Sequence, residues 1–394
     1  MKSWFENTPQ RRGSNSVKWD EKPGVLPLWI ADMDFPAAPC IREALQHKLD
    51  HGVFGYTLIP DSYYDAVIKW FGQRHGWHIA RESIIPIDGI VAATSIALKA
   101  LTQPGDKVIM QTPAYNCFFS SIRNTGCELL ANPLAYDAAT GHYSLDFEHL
   151  ERCCEDPQAK VLLLCNPHNP SGRCWTRKEL LRLWEICHRH GIPVISDEIH
   201  CDIVPPGSAY TPFASLSEEI ADHCISFASP TKPFNIAGLC VANMICANAA
   251  TRKKLDRVLN DWEHCDLSQF APVALEAAYS AEGAVWLDEM NAYIHENFCY
   301  LKERFAAEAP ACVVTPLEAT YLAWVRIDAL GVTGTELENF LLEKEQVWIN
   351  SGAIYGDDHF VRINLACPRA TLSEALDRIL RGIRVLTGGG IRRG

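Results

Sequence analysis

The sequence lacks the features that mark membrane, secreted and nucleic-acid-binding proteins. No run of apolar residues is long enough to cross a bilayer, and the first twenty residues are polar and do not resemble a signal peptide. Positive charge is scarce: 36 lysines and arginines are outnumbered by 48 acidic residues, which gives a net charge of -12. This balance argues against a nucleic-acid or anionic-membrane partner. We therefore expect a cytoplasmic protein that binds neither nucleic acid nor a membrane.

Cysteines at metal-binding spacing are also missing, although the chain contains 16 cysteines. There is no Cys-x-x-Cys pair, and the neighbouring Cys153 and Cys154 have no partner pair at zinc-finger spacing. Others, such as Cys165 and Cys187, lie inside apolar stretches, where a reduced thiol packs as a small apolar side chain. The sequence therefore predicts buried free thiols and no metal site.

The chain has the pattern of an α/β protein with two domains. Its 394 residues are too many for one small core. From about residue 85, short apolar runs that predict buried strands alternate with helical patterns. The predicted strands are residues 107–111, 160–165, 193–196 and 224–228. A helix lies between the second and third strands, with Thr176 and Glu179 as a capping box and Gly191 at its end. Strand–helix–strand units imply a largely parallel sheet.

The pattern changes after about residue 285 and predicts a second, smaller α+β domain. A long helix over 286–308 is followed by short strands near 321–327 and 360–364 and a closing helix over 372–385. We therefore divide the chain into an N-terminal segment packed with the small domain (1–47), a large cofactor-binding domain (48–285) and the small domain (286–394).

A lysine and an aspartate at predicted strand ends are the strongest indication of the protein's chemistry. Lys232 follows one strand, and Asp197 ends an earlier one 35 residues before it. Pyridoxal phosphate needs both groups, because the lysine amine holds the cofactor aldehyde and the aspartate keeps the pyridine nitrogen protonated. Ligands of open α/β folds bind at the carboxyl ends of the strands, where these residues are predicted to lie.

Further residues fit the same cofactor, although each has a simpler interpretation. Gly89 opens a helix with Ile90, and backbone amides at such a start can bind a phosphate, as Ser229 and Thr231 can with their hydroxyls. Taken alone, Gly89 is better explained as an ordinary helix start. The other candidates are Tyr115 as a stacking ring or a core tyrosine, Asn169 as a cofactor ligand or a turn residue, and His200 as a neighbour of Asp197.

The order of the motifs resembles the fold-type I pyridoxal phosphate enzymes, the aminotransferase-like group. The motifs are Pro-Ala-Tyr at 113–115, Asn-Pro-His-Asn-Pro-Ser-Gly at 166–172, Ser-Asp-Glu-Ile-His at 196–200, Ser-Pro-Thr-Lys at 229–232 and Val-Arg-Ile-Asn at 361–364. Three more motifs, at 29–35, 52–56 and 366–369, resemble the MalY/PatB branch of cystathionine β-lyase-like C–S lyases. The resemblance covers nearly the whole chain and implies a lyase that releases pyruvate, ammonia and a thiol from cystathionine or other cysteine S-conjugates.

The resemblance also implies a role for each candidate. Lys232 is the Schiff-base lysine and base, Asp197 the pyridinium partner, Asn169 the ligand of the phenolic oxygen, and Tyr115 the stacking ring. Arg362 takes the substrate carboxylate in a bidentate pair. The remaining assignments are Gly89, Ile90, Ser229 and Thr231 around the phosphate, His200 near the ring, Ala31 beside the substrate, and Tyr56 against the phosphate and substrate of a neighbouring subunit. The last of these implies a homodimer with shared active sites.

One position departs from many aminotransferases of this fold. They carry a phosphate-binding arginine eight residues after the lysine, where this chain has Cys240. The departure favours a lyase, but transamination by the same fold remains an alternative. A regulatory cofactor-binding protein with residual lyase activity is a third possibility. The sequence does not identify the chemical group that the substrate carries on its sulfur.

Overall fold

The computed structural model describes residues 3–264 and 266–388. Its strands are β1 Leu26–Pro27, β2 Ile84–Ile87, β3 Lys107–Thr112, β4 Glu128–Pro133, β5 Ala135–Asp137, β6 His142–Ser144, β7 Ala159–Cys165, β8 Val194–Asp197, β9 Cys224–Ala228, β10 Ala242–Ile245, β11 Val313–Val314, β12 Leu322–Arg326, β13 Val347–Trp348, β14 Asn350–Ser351 and β15 Phe360–Asn364.

The helices surround these strands. They are α1 Ser3–Glu6, α2 Val17–Asp20, α3 Pro39–His51, α4 Asp61–His75, α5 Ile90–Leu101, α6 Asn116–Asn124, α7 Phe147–Cys154, α8 Arg177–Arg189, α9 Glu218–Asp222, α10 Ala249–Asp261, α11 Phe270–Ala278, α12 Ala281–Glu308, α13 Gly334–Phe340 and α14 Arg369–Gly388. No helix in the described part of the chain is long and apolar enough to span a membrane.

A sheet of seven strands forms the centre of the large domain. Its order is β2-β10-β9-β8-β7-β3-β4, and neighbouring strands from β9 to β4 run parallel. The four strands predicted from the apolar runs are confirmed as β3, β7, β8 and β9. The sequence interpretation missed β10, which runs antiparallel to both of its neighbours, and the two edge strands β2 and β4. The sheet is therefore mostly, but not entirely, parallel.

The predicted helix between β7 and β8 is present with its capping box. The Thr176 side chain accepts a hydrogen bond from the Glu179 amide, and the Glu179 carboxylate accepts one from the Thr176 amide in return. Gly191, with φ of +67°, lies in the left-handed region just beyond the helix end. These local signals were sufficient to predict both ends of α8.

The C-terminal part of the chain forms the predicted α+β layer. A four-stranded antiparallel sheet, in the order β11-β12-β15-β14, is accompanied by the long helix α12 and the closing helix α14. Both helices begin a few residues before the predicted starts. The division into three parts at residues 47 and 285 remains a prediction.

The N-terminal segment packs against this C-terminal layer. Strand β1 pairs in parallel with β13, and Asn364 donates hydrogen bonds to the carbonyls of Ile30 (2.6 Å) and Asp32 (2.8 Å). The buried Lys18 ammonium lies 3.0 Å from the Asp34 carboxylate. These contacts fix the backbone of residues 29–34 beside β15.

The parallel strands bring three chemically important turns together. Cys165, the last residue of β7, pairs in register with Asp197, and Asp197 pairs with Phe227 of β9. The loops after these strands carry Asn169 and Lys232. Because parallel neighbours end at the same edge of a sheet, the predicted site residues converge there. The cysteines in the described part of the chain are free thiols, and most of them are buried.

Candidate active site

A cavity of about 600 Å³ opens at the carboxyl ends of β7, β8 and β9. Its wall contains Lys232, Asp197 and Asn169 from the large sheet and Arg362 from β15. The N-terminal segment closes another side through Trp29, Ile30 and Ala31. Residues far apart in sequence therefore share one cavity between the two sheets.

The Lys232 amine lies inside this cavity and is held by the N-terminal segment. Its Nζ donates a hydrogen bond to the Ala31 carbonyl at 2.7 Å. Burial lowers the pKa of Lys232, and the positive charge of Arg362 lowers it further, against the opposing effect of Asp32 and Asp197. The amine is thus more readily neutral, and nucleophilic, than a surface lysine.

The Asp197 carboxyl is buried at the end of β8. Its Oδ1 accepts a hydrogen bond from the Ile199 amide at 3.1 Å. Burial raises the pKa of Asp197 to about 7, although the Ile199 amide and the Lys232 charge oppose this rise. A carboxylate in this position is stabilised by a cationic partner in the cavity, because such a partner offsets the cost of its burial.

Arg362 presents a partly unsatisfied guanidinium to the cavity. Nη1 donates to Asn169 Oδ1 at 3.1 Å and Nη2 to the Trp29 carbonyl at 3.0 Å. Nε is buried and has no hydrogen-bond partner among the described residues. The guanidinium lies over the Tyr355 ring, 4.6 Å from its centroid, which fixes its plane. Arg362 can therefore bind a carboxylate with a donor that the protein leaves free.

The N-terminus of α5 forms the opposite part of the wall. Gly89, Ile90, Val91 and Ala92 line the cavity, and no side chain caps the helix start. The first backbone amides of a helix lack partners within it and attract an anion. This end of the cavity is suited to a phosphate.

The two hydroxyls expected beside a phosphate are engaged with each other. Ser229 Oγ donates to the Val241 carbonyl at 2.7 Å and lies 2.6 Å from Thr231 Oγ1. Since the Ser229 proton is used in this way, the Thr231 hydroxyl is the donor between the two. Thr231 lines the cavity, whereas Ser229 does not and instead orients Thr231. The backbone amides of α5 are thus the free donors at this end.

Tyr115 and His200 also lie in the cavity wall. Tyr115 precedes α6, and burial raises its pKa, with a contribution from the neighbouring Cys117 thiol. Burial lowers the pKa of His200 to about 3, helped by the charges of Lys232 and Arg362, and its Nδ1 has no partner within the described residues. His200 is therefore a neutral imidazole at neutral pH.

Tyr56, like Ser229, is a predicted site residue that lies outside the cavity. Tyr56 is fully exposed, at 102%, on an irregular segment, and it borders a separate surface hollow with Phe54 and Phe270. A role for Tyr56 in this chain's own cavity is not seen, so its assignment depends on a second subunit. Arg369, which follows Arg362 by seven residues, instead donates to Asn297 Oδ1 at 2.7 Å.

The sequence interpretation missed several residues of the cavity wall. Asn350 donates hydrogen bonds to the Trp29 carbonyl (2.8 Å) and to the Tyr355 hydroxyl (2.9 Å), and so joins three elements around Arg362. Cys117 was also missed, although it lies only two residues after Tyr115. Neither periodicity nor motif spacing marks Asn350 or Tyr355. Asn350 contacts Trp29, which is more than 300 positions away in the sequence, and Tyr355 acts through the packing of its ring against Arg362.

Comparisons with known proteins agree with this geometry. The family model for aminotransferase class I and II matches residues 23–379. The chain is 43% identical to cystathionine β-lyase PatB of Bacillus subtilis over 383 residues, which cover 95% of this chain and 98% of PatB. It is 33% identical to protein MalY of Escherichia coli over 97% of this chain and 99% of MalY.

A solved structure gives the same result for the fold. The structure of cystalysin from Treponema denticola, described as containing pyridoxal 5'-phosphate, superposes with a TM-score of 0.93 and 35% identity. The match covers 97% of this chain and 99% of cystalysin. The fold class expected from the motifs is thereby confirmed. The chain belongs to the class I and II aminotransferase family and, within it, to the MalY/PatB branch.

Proposed function

We propose that the chain is a pyridoxal phosphate-dependent C–S lyase that cleaves cysteine S-conjugates into pyruvate, ammonia and a thiol. The observation that carries the proposal is the presence of Lys232, Asp197 and Arg362 in one cavity of a chain that is 43% identical to a cystathionine β-lyase. The structural relatives described as C–S lyases or as pyridoxal phosphate-bound support the same chemistry.

The residues of the cavity fit this cofactor. The uncapped start of α5 suits its phosphate, the Lys232 amine its aldehyde, and the buried Asp197 carboxyl its pyridine nitrogen. Asn169 retains an amide nitrogen for the phenolic oxygen while its Oδ1 accepts from Arg362. When bound, pyridoxal phosphate supplies an electron-accepting ring that stabilises negative charge on the substrate's α-carbon.

Arg362 and Lys232 position the substrate and move its protons. The Arg362 guanidinium, with its free Nε, binds the α-carboxylate and places the α-carbon near Lys232. The Lys232 amine, whose pKa is lowered by burial and by Arg362, removes the α-proton. Protonated Lys232 then delivers a proton to the departing sulfur.

The overall reaction balances with one water molecule. The Cβ–S bond breaks, and sulfur leaves with the bonding electrons and takes up a proton as a thiol. The remaining three-carbon fragment takes up water and yields pyruvate and ammonia. No keto acid is consumed, which separates this reaction from transamination.

The test is product analysis without an added keto acid. An S-alkyl cysteine should give pyruvate, ammonia and thiol in equal amounts. Lys232→Ala should abolish turnover because both the cofactor tether and the base are lost. If product forms only when a keto acid is supplied, and sulfur stays on the carbon skeleton, the chain is an aminotransferase instead.

We also propose that the chain acts as a homodimer in which Tyr56 reaches the partner's site. Support comes from exposed apolar side chains clustered in one segment, whose burial would be favourable. They are Leu49, Val53, Phe54, Tyr56 and Leu58. A cytoplasmic location, as the sequence predicts, is part of this proposal.

A further inference from the structure

We propose that Asn235 is a positioning residue for the Lys232 amine: its side chain anchors the N-terminal segment so that the Ala31 carbonyl faces that amine. The inference deepens the proposed lyase function, on which its consequence for catalysis rests. Its basis is a set of hydrogen bonds that join the turn after β9 to residues 30–35. Asn235 does not line the cavity, and it acts through the backbone that it holds.

The Asn235 side chain binds both backbone groups of Met33. Its amide nitrogen donates to the carbonyls of Met33 (3.0 Å) and Phe35 (2.7 Å), and its Oδ1 accepts from the Met33 amide at 3.1 Å. Lys232 lies three residues before Asn235, in the same turn. The turn that carries the reactive amine therefore also holds the segment to which this amine is hydrogen-bonded.

Asn364 of β15 holds the same segment beside the Ala31 peptide. Its amide nitrogen donates to the carbonyls of Ile30 (2.6 Å) and Asp32 (2.8 Å). The carbonyl between these two, that of Ala31, accepts the hydrogen bond from Lys232 Nζ at 2.7 Å. Because peptide units are planar, fixing the carbonyls on either side leaves the Ala31 carbonyl little freedom to turn away from the amine.

This arrangement stabilises a positive charge on the Lys232 amine. Burial lowers the pKa of Lys232, and the charge of Asp32 is the largest of the effects that oppose this. A carbonyl that accepts a hydrogen bond from an ammonium group favours the charged form as well. The other titratable groups around the amine are Cys117, Asp197, His200 and Arg362. The base that removes the substrate's α-proton becomes an ammonium, so the anchored segment supplies two groups that stabilise it.

A simpler interpretation of Asn235 concerns its backbone alone. Its φ of +55° lies in the left-handed region, which asparagine tolerates better than most residues. Asn235→Gly separates the two interpretations, because glycine keeps this conformation and removes the side chain. Asn235→Asp provides a second variant of nearly the same shape: it keeps an acceptor for the Met33 amide but turns a carboxylate oxygen toward the carbonyls of Met33 and Phe35.

The pH dependence of Lys232 labelling in the cofactor-free protein tests the inference without any turnover. Acetic anhydride acylates only the neutral amine, and mass spectrometry of the peptide that contains Lys232 gives the pH midpoint of its labelling. In Asn235→Gly and Asn235→Asp the Ala31 carbonyl and Asp32 are no longer held in place, so the midpoint should fall by about one pH unit. An unchanged or higher midpoint in Asn235→Gly would overturn the inference.

Asn291→Ala is the control for a general loss of stability. The Asn291 amide nitrogen donates to the Asp202 carbonyl at 2.8 Å, and Asn291 does not line the cavity. This variant should lower Tm but leave the labelling midpoint at the wild-type value. A midpoint that falls in Asn291→Ala as far as in Asn235→Gly would mean that loosening of the fold, and not the Asn235 side chain, causes the shift.

The holoenzyme gives a second readout. In Asn235→Gly, kcat for pyruvate release from S-methylcysteine should fall roughly tenfold, while the absorbance of the lysine-bound cofactor stays intact. An unchanged kcat would contradict the role of the segment in catalysis. If the wild-type protein releases no pyruvate from any cysteine S-conjugate, the lyase function is wrong; the labelling midpoints then still decide whether Asn235 positions the acceptor of Lys232.

Discussion

Arg362 illustrates how single residues set the chemistry of this molecule. Its guanidinium is buried, bonded to Asn169 and to the Trp29 carbonyl, and retains a free Nε. Arg362→Ala should therefore cost about 2–5 kcal/mol of substrate and transition-state binding. The expected result is a fall in kcat/KM of roughly 30-fold or more, with the absorbance of the lysine-bound cofactor intact.

Two further arginine variants separate this role from a general loss of charge. Arg362→Lys keeps the charge but loses two-point geometry, so most of the defect should remain. Arg369→Ala removes an arginine whose Nε donates to Asn297 outside the cavity wall, and should leave kcat/KM near the wild-type value. A normal kcat/KM in Arg362→Ala would exclude this residue from substrate binding.

The raised pKa of Asp197 leads us to expect that the stability of the cofactor-free protein depends on pH. Its pKa of about 7 in the folded chain lies above the ordinary value of 3.8. The folded state therefore binds the Asp197 proton more tightly than the unfolded state does. The resulting contribution to the free energy of unfolding is complete below pH 4 and is lost as the pH rises through 7. Asp197→Asn should remove this loss, so at pH 8 the cofactor-free variant should be more stable than the wild type by roughly 2–4 kcal/mol.

Thermal unfolding of both cofactor-free proteins between pH 4 and pH 8 provides the measurement. Burial raises the pKa of the neighbouring Glu198 to about 7 as well, but Glu198 is present in both proteins and cancels in the difference. A difference in Tm that does not grow with pH would show that Asp197 is already ionised when the cofactor is absent.

The sequence predicted which residues meet at the strand ends, but not the contacts between them. Lys232, Asp197, Asn169 and Arg362 line one cavity, as expected from their places at strand ends and in known motifs. The carbonyl of Ala31, which accepts the Lys232 hydrogen bond, carries no such signal, because every residue has a carbonyl. Backbone acceptors become visible only once the chain is folded.

Among the secondary-structure elements, those with strong local signals were predicted well. Helix α8 has a capping box at Thr176 and a left-handed Gly191, and both ends agree with the prediction. Strand β10 was missed, because a four-residue apolar run cannot be told from part of a buried helix by its periodicity, and it also does not reveal the direction of the strand. The direction follows from the connections of the whole sheet, which local sequence does not encode.

The capping box of α8 supports a stability prediction. Thr176→Ala removes the hydrogen bond to the Glu179 amide and should lower the free energy of unfolding by about 0.5–2 kcal/mol. Thr176 does not line the cavity, so kcat should stay unchanged. Thr176→Ser keeps the hydroxyl and serves as the control; chemical denaturation that found Ala and Ser equally stable would contradict the role of the cap.

At the scale of the whole molecule, the exposure of Tyr56 leads us to expect a homodimer in which residues of both chains form each active site. Under the proposed homodimer, Tyr56→Phe would remove the proposed hydrogen bond to the phosphate in the partner's site, and we expect it to weaken cofactor retention by about 1.5–3 kcal/mol. The retained cofactor can be measured after dialysis. Sedimentation should show a dimer; a monomer with full turnover would contradict the shared site.

Mixed dimers give a stronger test of the same assembly. Lys232→Ala chains should be inactive, and Tyr56→Ala chains should retain cofactor poorly. When the two are co-expressed, one site of each mixed dimer combines the intact Lys232 of one chain with the intact Tyr56 of the other. We expect activity above that of either variant alone, and no gain would mean that each chain completes its own site.

The hydrogen bond between Arg362 and the Trp29 carbonyl joins residues 333 positions apart. During synthesis, at about 5–20 residues per second, Trp29 is added to the chain roughly 17 to 67 s before Arg362. For that interval the edge of β1 has no β13 to pair with, and the emerging chain exposes apolar surface. The N-terminal segment therefore reaches its native contacts only after the C-terminal layer has been made, and slower translation lengthens the time for which its apolar side chains are exposed.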